Sequence, residues 1–379
     1  MTPASPSRRD ILHTALAAGV GTALGAAASP ARADPPLPAD LTKLAPQIKS
    51  IREQLHLLAH QWLDRKQLAR PDGFIYTVDV AQLMIYFAQA ADAGGYATLH
   101  DSAAGHLVRD ERDDPYTKGF VPWRWKANEK PDASGTTEAL RLARALWLGA
   151  KGFNRPADAQ LALKILDGYR RHEATDQGIW IIRNYFGFNT RSFASNSYLV
   201  DYDPDFIRDV ASERKDAALA QLADSCYNVV KLAAAPSGLL YDIIQPEVAT
   251  LYPELNLAAF SPNDVIQFSN CCTTAMSVSR GLPNVARKVL AFALNRLDDL
   301  RVYYLGRTGE PFNDKSAAVY EYSVLARLAA RAGANGAAAT VADRAMNDWK
   351  WSADRPDSLG LFMATEILLA MQALEAIKA

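Results

Sequence analysis

The chain has 379 residues, with 41 basic and 42 acidic side chains, a formal charge of −1 and 49% apolar residues. Near-balanced charge excludes the basic footprint of a nucleic-acid binder and the acidity of a disordered tail, and it favours a neutral or weakly charged ligand. Cys226, Cys271 and Cys272 are an odd set with two adjacent members; this fits neither a disulfide framework nor a metal site and reads as burial of small apolar groups.

The N-terminus reads as an export signal. SRRDIL (residues 7–12) holds a twin-arginine pair, an uncharged Ala/Gly/Leu stretch follows, and Ala31-Arg32-Ala33 is a small-x-small cleavage site before Asp34. The apolar stretch, roughly 15 residues, is short of the ~20 that span a bilayer. The expectation is a signal peptide over 1–33 and a single domain over 34–379, delivered to the periplasm or secreted, free of the membrane and monomeric.

Helical periodicity then recurs over 41–65, 78–94, 136–153, 156–172, 216–235, 284–300, 316–333 and 358–377. His56 and His60, four apart in the first of these, could share a face for a metal, but no third ligand is spaced nearby and no metal is expected. The chain has no G-x-S-x-G elbow, P-loop or dinucleotide glycine fingerprint, so no cofactor is expected either.

Before several of these helices stands the same kind of segment, a Gly beside large apolar residues followed by a polar loop. The instances are PDGFIYTVD (71–79), KGFVPWRWKANEKPDASG (118–135), DQGIWIIRNYFGFNTRSFASNSY (176–198), PSGLLYDIIQPE (236–247) leading on to FSPNDVIQF (260–268), YYLGRTGEPFNDKS (303–316) and DRPDSLGLF (354–362). Six units at a spacing of roughly 50 to 60 residues suggest helix hairpins closing into a ring, each burying its face against its neighbours. The fold class expected is all-α, an (α/α)6 toroid. The second helix of each hairpin then lies inside, apolar all round, and the loop before it lies at the mouth. Trp123 and Trp125 would line a cleft and stack on sugar rings, unless one of them fills the loop's own small core.

Residues 195–244, from SNSYLVDYDPDF to PSGLLYDII, resemble glycoside hydrolase family 8, in which a Pro-Ser-Tyr loop and a helix lead to a Pro-x-Gly-Leu-x-x-Asp turn, matched here by APSGLLYDI (235–243). DASGTTEALRLARALWLGA (132–150) is similar to that family's Ala-Thr-Asp-Gly-Asp run, YTVDVAQLM (76–84) to its Ser-Glu-Gly-Gln helix start, and FSPNDVIQFSN (260–270) to its Tyr-Asp-Ala. The resemblance implies an inverting, endo-acting glycoside hydrolase of a β-linked polysaccharide. Two carboxyl groups would do the work, one protonating the leaving oxygen and one activating water.

On that resemblance Asp79 takes the general-acid position, although an ungapped match puts Val78 there. Glu138 falls by the sugar-contacting Asp and is the next candidate for the acid, and Asp264 takes the place of the base. Each could instead serve as a helix-terminal carboxylate or Asx cap. Trp180, Arg183, Tyr198, Tyr241 and Asp242 are expected on loops at the mouth as substrate contacts. Two rival readings stay open. One is a polysaccharide lyase using Asn184, Tyr185, Asn189, Arg191 and Tyr198; the other is a glycan-binding protein without chemistry.

Overall fold

The computed structural model describes residues 40–109, 114–176, 178–246, 264–352 and 359–377. The leader read in residues 1–33 and parts of the 260–268 and 354–362 segments lie outside the described residues.

Helix α1 (Leu41–Asp64) starts where the Asp40 carboxylate accepts from the Thr42 N–H, and it buries Ile48, Ile51, Leu55 and Leu58 on one stripe. Each of these side chains contributes about 1.5–3 kcal/mol of burial before conformational entropy is counted. Helix α2 (Thr77–Gln89) differs, because its residues are buried on nearly every side from Asp79 to Phe87. The alternation continues through α3 (Ala93–Leu107), α4 (Thr136–Gly152), α5 (Pro156–Arg170), α6 (Pro204–Arg214), α7 (Ala217–Leu232), α8 (Phe268–Ser277), α9 (Pro283–Leu294), α10 (Val319–Arg331), α11 (Asn335–Ser352) and α12 (Gly360–Glu375).

Even-numbered helices form the inner ring. Helix α2 packs on α4, the short turn Leu199–Asp201 and α6 come next, and α8, α10 and α12 follow, with α12 returning to α2. Five sequential hairpins supply most of the toroid. The sixth pair is made from the two ends of the chain, since α12 finds its outer partner in α1. The (α/α)6 architecture is therefore present, closed by the first helix against the last.

The two rims differ. Inner helices pass to outer ones through short turns, and Ala91, Asn154 and Lys215 adopt left-handed backbone there. Outer helices pass to inner ones through the long connections, so these collect at the N-terminal ends of the inner ring. One glycine in each repeated segment, Gly73, Gly119, Gly178, Gly238, Gly309 and Gly360, has positive φ at this rim. At Gly119 the demand is double. A side chain there would collide with the backbone of α5 at Lys164, and one at Gly168 would collide with Gly119 in turn.

Two-stranded antiparallel ladders tie the rim connections together. Strand β1 (Ile75–Tyr76) pairs with β2 (Arg124–Trp125), and β3 (Glu173–Asp176) with β4 (Ile179–Ile182). Strand β5 (Phe186–Gly187) pairs with β6 (Ser192–Phe193), and β7 (Ser197–Tyr198) with β8 (Ile243–Ile244). Strand β9 (Val265–Gln267) pairs with β10 (Tyr303–Leu305). All three cysteines are free and buried. No helix among the described residues is long and apolar enough to cross a membrane.

One expectation about the inner ring needs correction. Helix α4 is not apolar all round, because Arg141 and Arg144 point to the ring axis with Thr137 and Leu140. The axis tolerates them by pairing. Arg141 donates to Gln82 (3.0 Å), Arg144 to Asp203 (2.7 Å) and Arg327 to Glu366 (2.7 Å), around a cavity of about 70 Å³.

Candidate active site at the mouth of the ring

Asp79 occupies the first turn of α2 and is 1% exposed. Both of its oxygens accept from Arg70, Nε at 2.8 Å and an Nη at 2.7 Å, and the guanidinium lies 3.8 Å from the centre of the Tyr76 ring. A bidentate pair of this kind uses the carboxylate as an acceptor on both sides. Beside it, the Thr77 hydroxyl donates to the Pro122 carbonyl (2.6 Å) and its N–H to the Trp123 carbonyl, which fastens β2 over the start of α2.

Glu138 is in the first turn of α4 and is also buried. Its carboxylate folds back against Gly135, where any side chain at 135 would strike it, and Oε2 has no hydrogen-bond partner among the described residues. Helical geometry turns it about 100° from Thr137, the axis-facing residue beside it. Among the acids that meet the axis-facing stripe, beside Asp203 and Glu366, is Asp201, which the sequence reading did not single out. It accepts from the Thr137 hydroxyl and from the Tyr198 N–H (3.1 Å). The helical pattern 216–235 begins after it, so no periodic signal marked that turn.

Asp242 lies where two ladders meet. Its carbonyl accepts from the Leu199 N–H at 2.8 Å, and its Oδ2 accepts from the N–H of Gln267, the residue that precedes α8, at 2.6 Å. Oδ1 is buried and has no hydrogen-bond partner among the described residues. Burial pushes this carboxyl up to about 8 against the opposing effect of the Gln267 N–H. A shift in this direction favours the protonated carboxyl at neutral pH. Asp264 has left-handed backbone, φ 58°, and is half-buried. Its Oδ1 accepts from the Tyr241 hydroxyl (2.8 Å) and its Oδ2 from the Arg307 N–H (3.1 Å), so it pins the connection before β9 to the one after β10.

The aromatic expectations divide. Trp123 is 8% exposed, its indole N–H donates to Asp132 (2.7 Å), and the Tyr76 ring meets it edge-on at 5.4 Å. It is therefore a core residue of its own loop, not a cleft platform. The reason is the ladder β1/β2, whose two-residue length leaves Trp123 behind it, over the start of α2. Trp125 is half-buried, paired with Ile75, and packs against the core. Tyr241 is 1% exposed, so it faces the core, and its hydroxyl donates to Asp264 at the rim. Trp180, Arg183 and Tyr198 are half-exposed. Arg183 lies over the Phe193 ring at 4.9 Å, and Trp180 meets Tyr202 edge-on.

Of the residues named for a lyase, two are engaged in contacts of their own. Asn184 is 2% exposed and gives its carbonyl to the Thr136 N–H and hydroxyl, while Arg191 pairs with Asp114 (2.7 Å) in an exposed contact.

Solved structures share this architecture at low sequence identity. An α-amylase from Clostridium perfringens matches over 79% of this chain and 86% of its own, at 14% identity and a TM-score of 0.63. An endo-β-1,4-glucanase from Acetobacter xylinum matches over 83% of this chain and 97% of its own, at 16% identity and a TM-score of 0.59. A glycoside hydrolase family 8 structure from Teredinibacter turnerae, a xylobiose complex, matches over 80% and 82%, at 16% identity and a TM-score of 0.54. No family model matches the chain, and no curated protein matches it. At these identities the likeness establishes the fold.

Proposed function

We propose that this chain is an exported, endo-acting glycoside hydrolase that cleaves a polysaccharide with inversion, using Asp242 as the proton donor and Asp264 as the base. The reading rests on the place of the Asp242 carboxyl, on the N–H of Gln267 at the start of an inner helix, with Oδ1 unengaged among the described residues and burial raising its pKa to about 8. Glycoside cleavage needs such a group, because the leaving oxygen must gain a proton as the bond breaks. Asp264 is half-exposed, and its oxygens accept from neutral donors. It would take the proton from the attacking water, oriented by the Tyr241 hydroxyl. Asp79 and Glu138 fall outside this pair in our reading, the first held by Arg70 and the second folded on Gly135.

Trp125, Trp180, Arg183 and Tyr198 remain our choices for contact with sugar rings at the rim, where half-exposed aromatic faces can stack and the guanidinium can donate. The solved neighbours include an α-amylase and a β-glucanase, so the test spans both linkages. Reducing-end release and absorbance near 235 nm are measured on starch, β-glucans, chitosan, xylan and uronate polymers. Reducing ends without the ultraviolet signal support the hydrolase. The signal itself would mark a lyase, and neither product would leave a binding protein. Export is checked by N-terminal sequencing of the mature protein, expected to begin at Asp34.

A further inference from the structure

We propose that His56, His60 and Asp92 form a binding site for a borderline divalent cation such as Zn²⁺, on the outer wall of the ring at the end away from the mouth. The two histidines are one turn apart on α1, and their rings stand 4.8 Å apart, edge to face. The third donor comes from the turn between α2 and α3, 32 positions from His60, which is why sequence spacing concealed it. Asp92 Oδ2 lies 2.7 Å from His60 Nε2 and 3.7 Å from His56 Nε2. One donor atom from each of the three residues fits within 4.8 Å of the others. Tetrahedral ligands about 2.0–2.1 Å from zinc are about 3.3 Å apart, so an ion needs the His60–Asp92 contact to open slightly and the more widely spaced donors to draw in.

The surrounding groups aim these donors. His56 Nδ1 is 3.0 Å from the hydroxyl of buried Tyr86, which leaves Nε2 facing Asp92. Asp92 Oδ1 accepts from the Gly95 N–H at 2.9 Å as the cap of α3, which leaves Oδ2 facing the histidines. Such outer partners fix ligand orientation in metal sites. The side chains are 33%, 36% and 18% exposed, so an ion can reach them and water can complete its coordination. Two imidazoles and one carboxylate favour zinc, nickel or copper over magnesium or calcium. The ion would tie α1, which closes the ring against α12, to the turn of the first hairpin.

The test uses the full mature chain, tag-free and stripped with chelator. Calorimetric titration with Zn²⁺ and with Mg²⁺ is paired with thermal unfolding in each ion. The expected result is one Zn²⁺ per chain, a thermal midpoint raised by Zn²⁺ and unmoved by Mg²⁺, and binding weakened at least 100-fold in His60→Ala and in Asp92→Asn. Asn retains an acceptor for the Gly95 N–H, so Asp92→Asn keeps the helix cap and carries the test if His60→Ala does not fold. Failure of the wild-type chain to bind Zn²⁺ stoichiometrically, or unchanged affinity in a folded variant, overturns the site.

Discussion

The Asp242 carboxyl makes stability depend on pH in an unusual direction. Its ordinary value is 3.8 and burial raises it to about 8 in the folded chain. Between these values the native protein keeps a proton that the unfolded chain has released, so stability falls as pH rises through the window and levels off above it. The slope is about 1.4 kcal/mol per pH unit, or about 6 kcal/mol across the whole window. Asp242→Asn removes the titrating group while its amide oxygen can still accept from the Gln267 N–H. Urea unfolding at pH 5, 6, 7 and 8 should therefore show the variant gaining about 4 kcal/mol relative to wild type between pH 5 and 8. Other titrating groups act on both proteins and cancel in the difference. Parallel stability curves for the two proteins would refute the assignment of a protonated Asp242.

On the acid side, burial lowers His172 to about 4. Its contribution is complete above the unfolded value of 6.5 and is lost as pH falls through the folded one, about 3 kcal/mol in all, and denaturation of wild type against His172→Gln from pH 7 to 4 should show it. Arg70→Leu leaves the buried Asp79 charge unpaired and should cost about 3–5 kcal/mol, read as a drop in the urea midpoint at constant slope. Gly168→Ala forces α5 away from Gly119 and should cost at least about 2 kcal/mol in the same assay. Lys215→Gly relieves left-handed backbone at the turn after α6 and should stabilise by about 0.5–1 kcal/mol.

The rim glycines and the inner-ring periodicity were legible because both follow from local chemistry. A left-handed turn asks for Gly, and a helix packed on every side loses its polar face. Four helices had no counterpart of their own among the periodic segments. Helix α8, FSNCCTTAMS, is built from small and β-branched residues of weak propensity and is held by burial. Helix α3 carries Gly94 and Gly95 in its first turn, and α6 and α11 are short of large apolar side chains on a repeating stripe. Site residues were harder to read. The charge at Asp79 was visible, but its partner Arg70 sits in the preceding loop and could be recognised only from the ladder that brings it back. Trp123 and Trp125 looked equivalent until the register of β1 with β2 separated them. Asp242 was read as a contact residue because the burial that raises its carboxyl is a tertiary effect, made by segments as distant as Gln267, 25 positions away, and sequence spacing does not carry it.

The measurement closest to the central claim is the turnover of Asp242→Asn on the best polysaccharide found, set against its turnover of an aryl glycoside whose leaving group needs no proton. Loss of a proton donor should lower the polysaccharide rate by about 10²–10⁴-fold and leave the activated substrate nearly unaffected. Equal rates for variant and wild type on the polysaccharide, in a folded variant, would contradict the assignment of Asp242 as the acid.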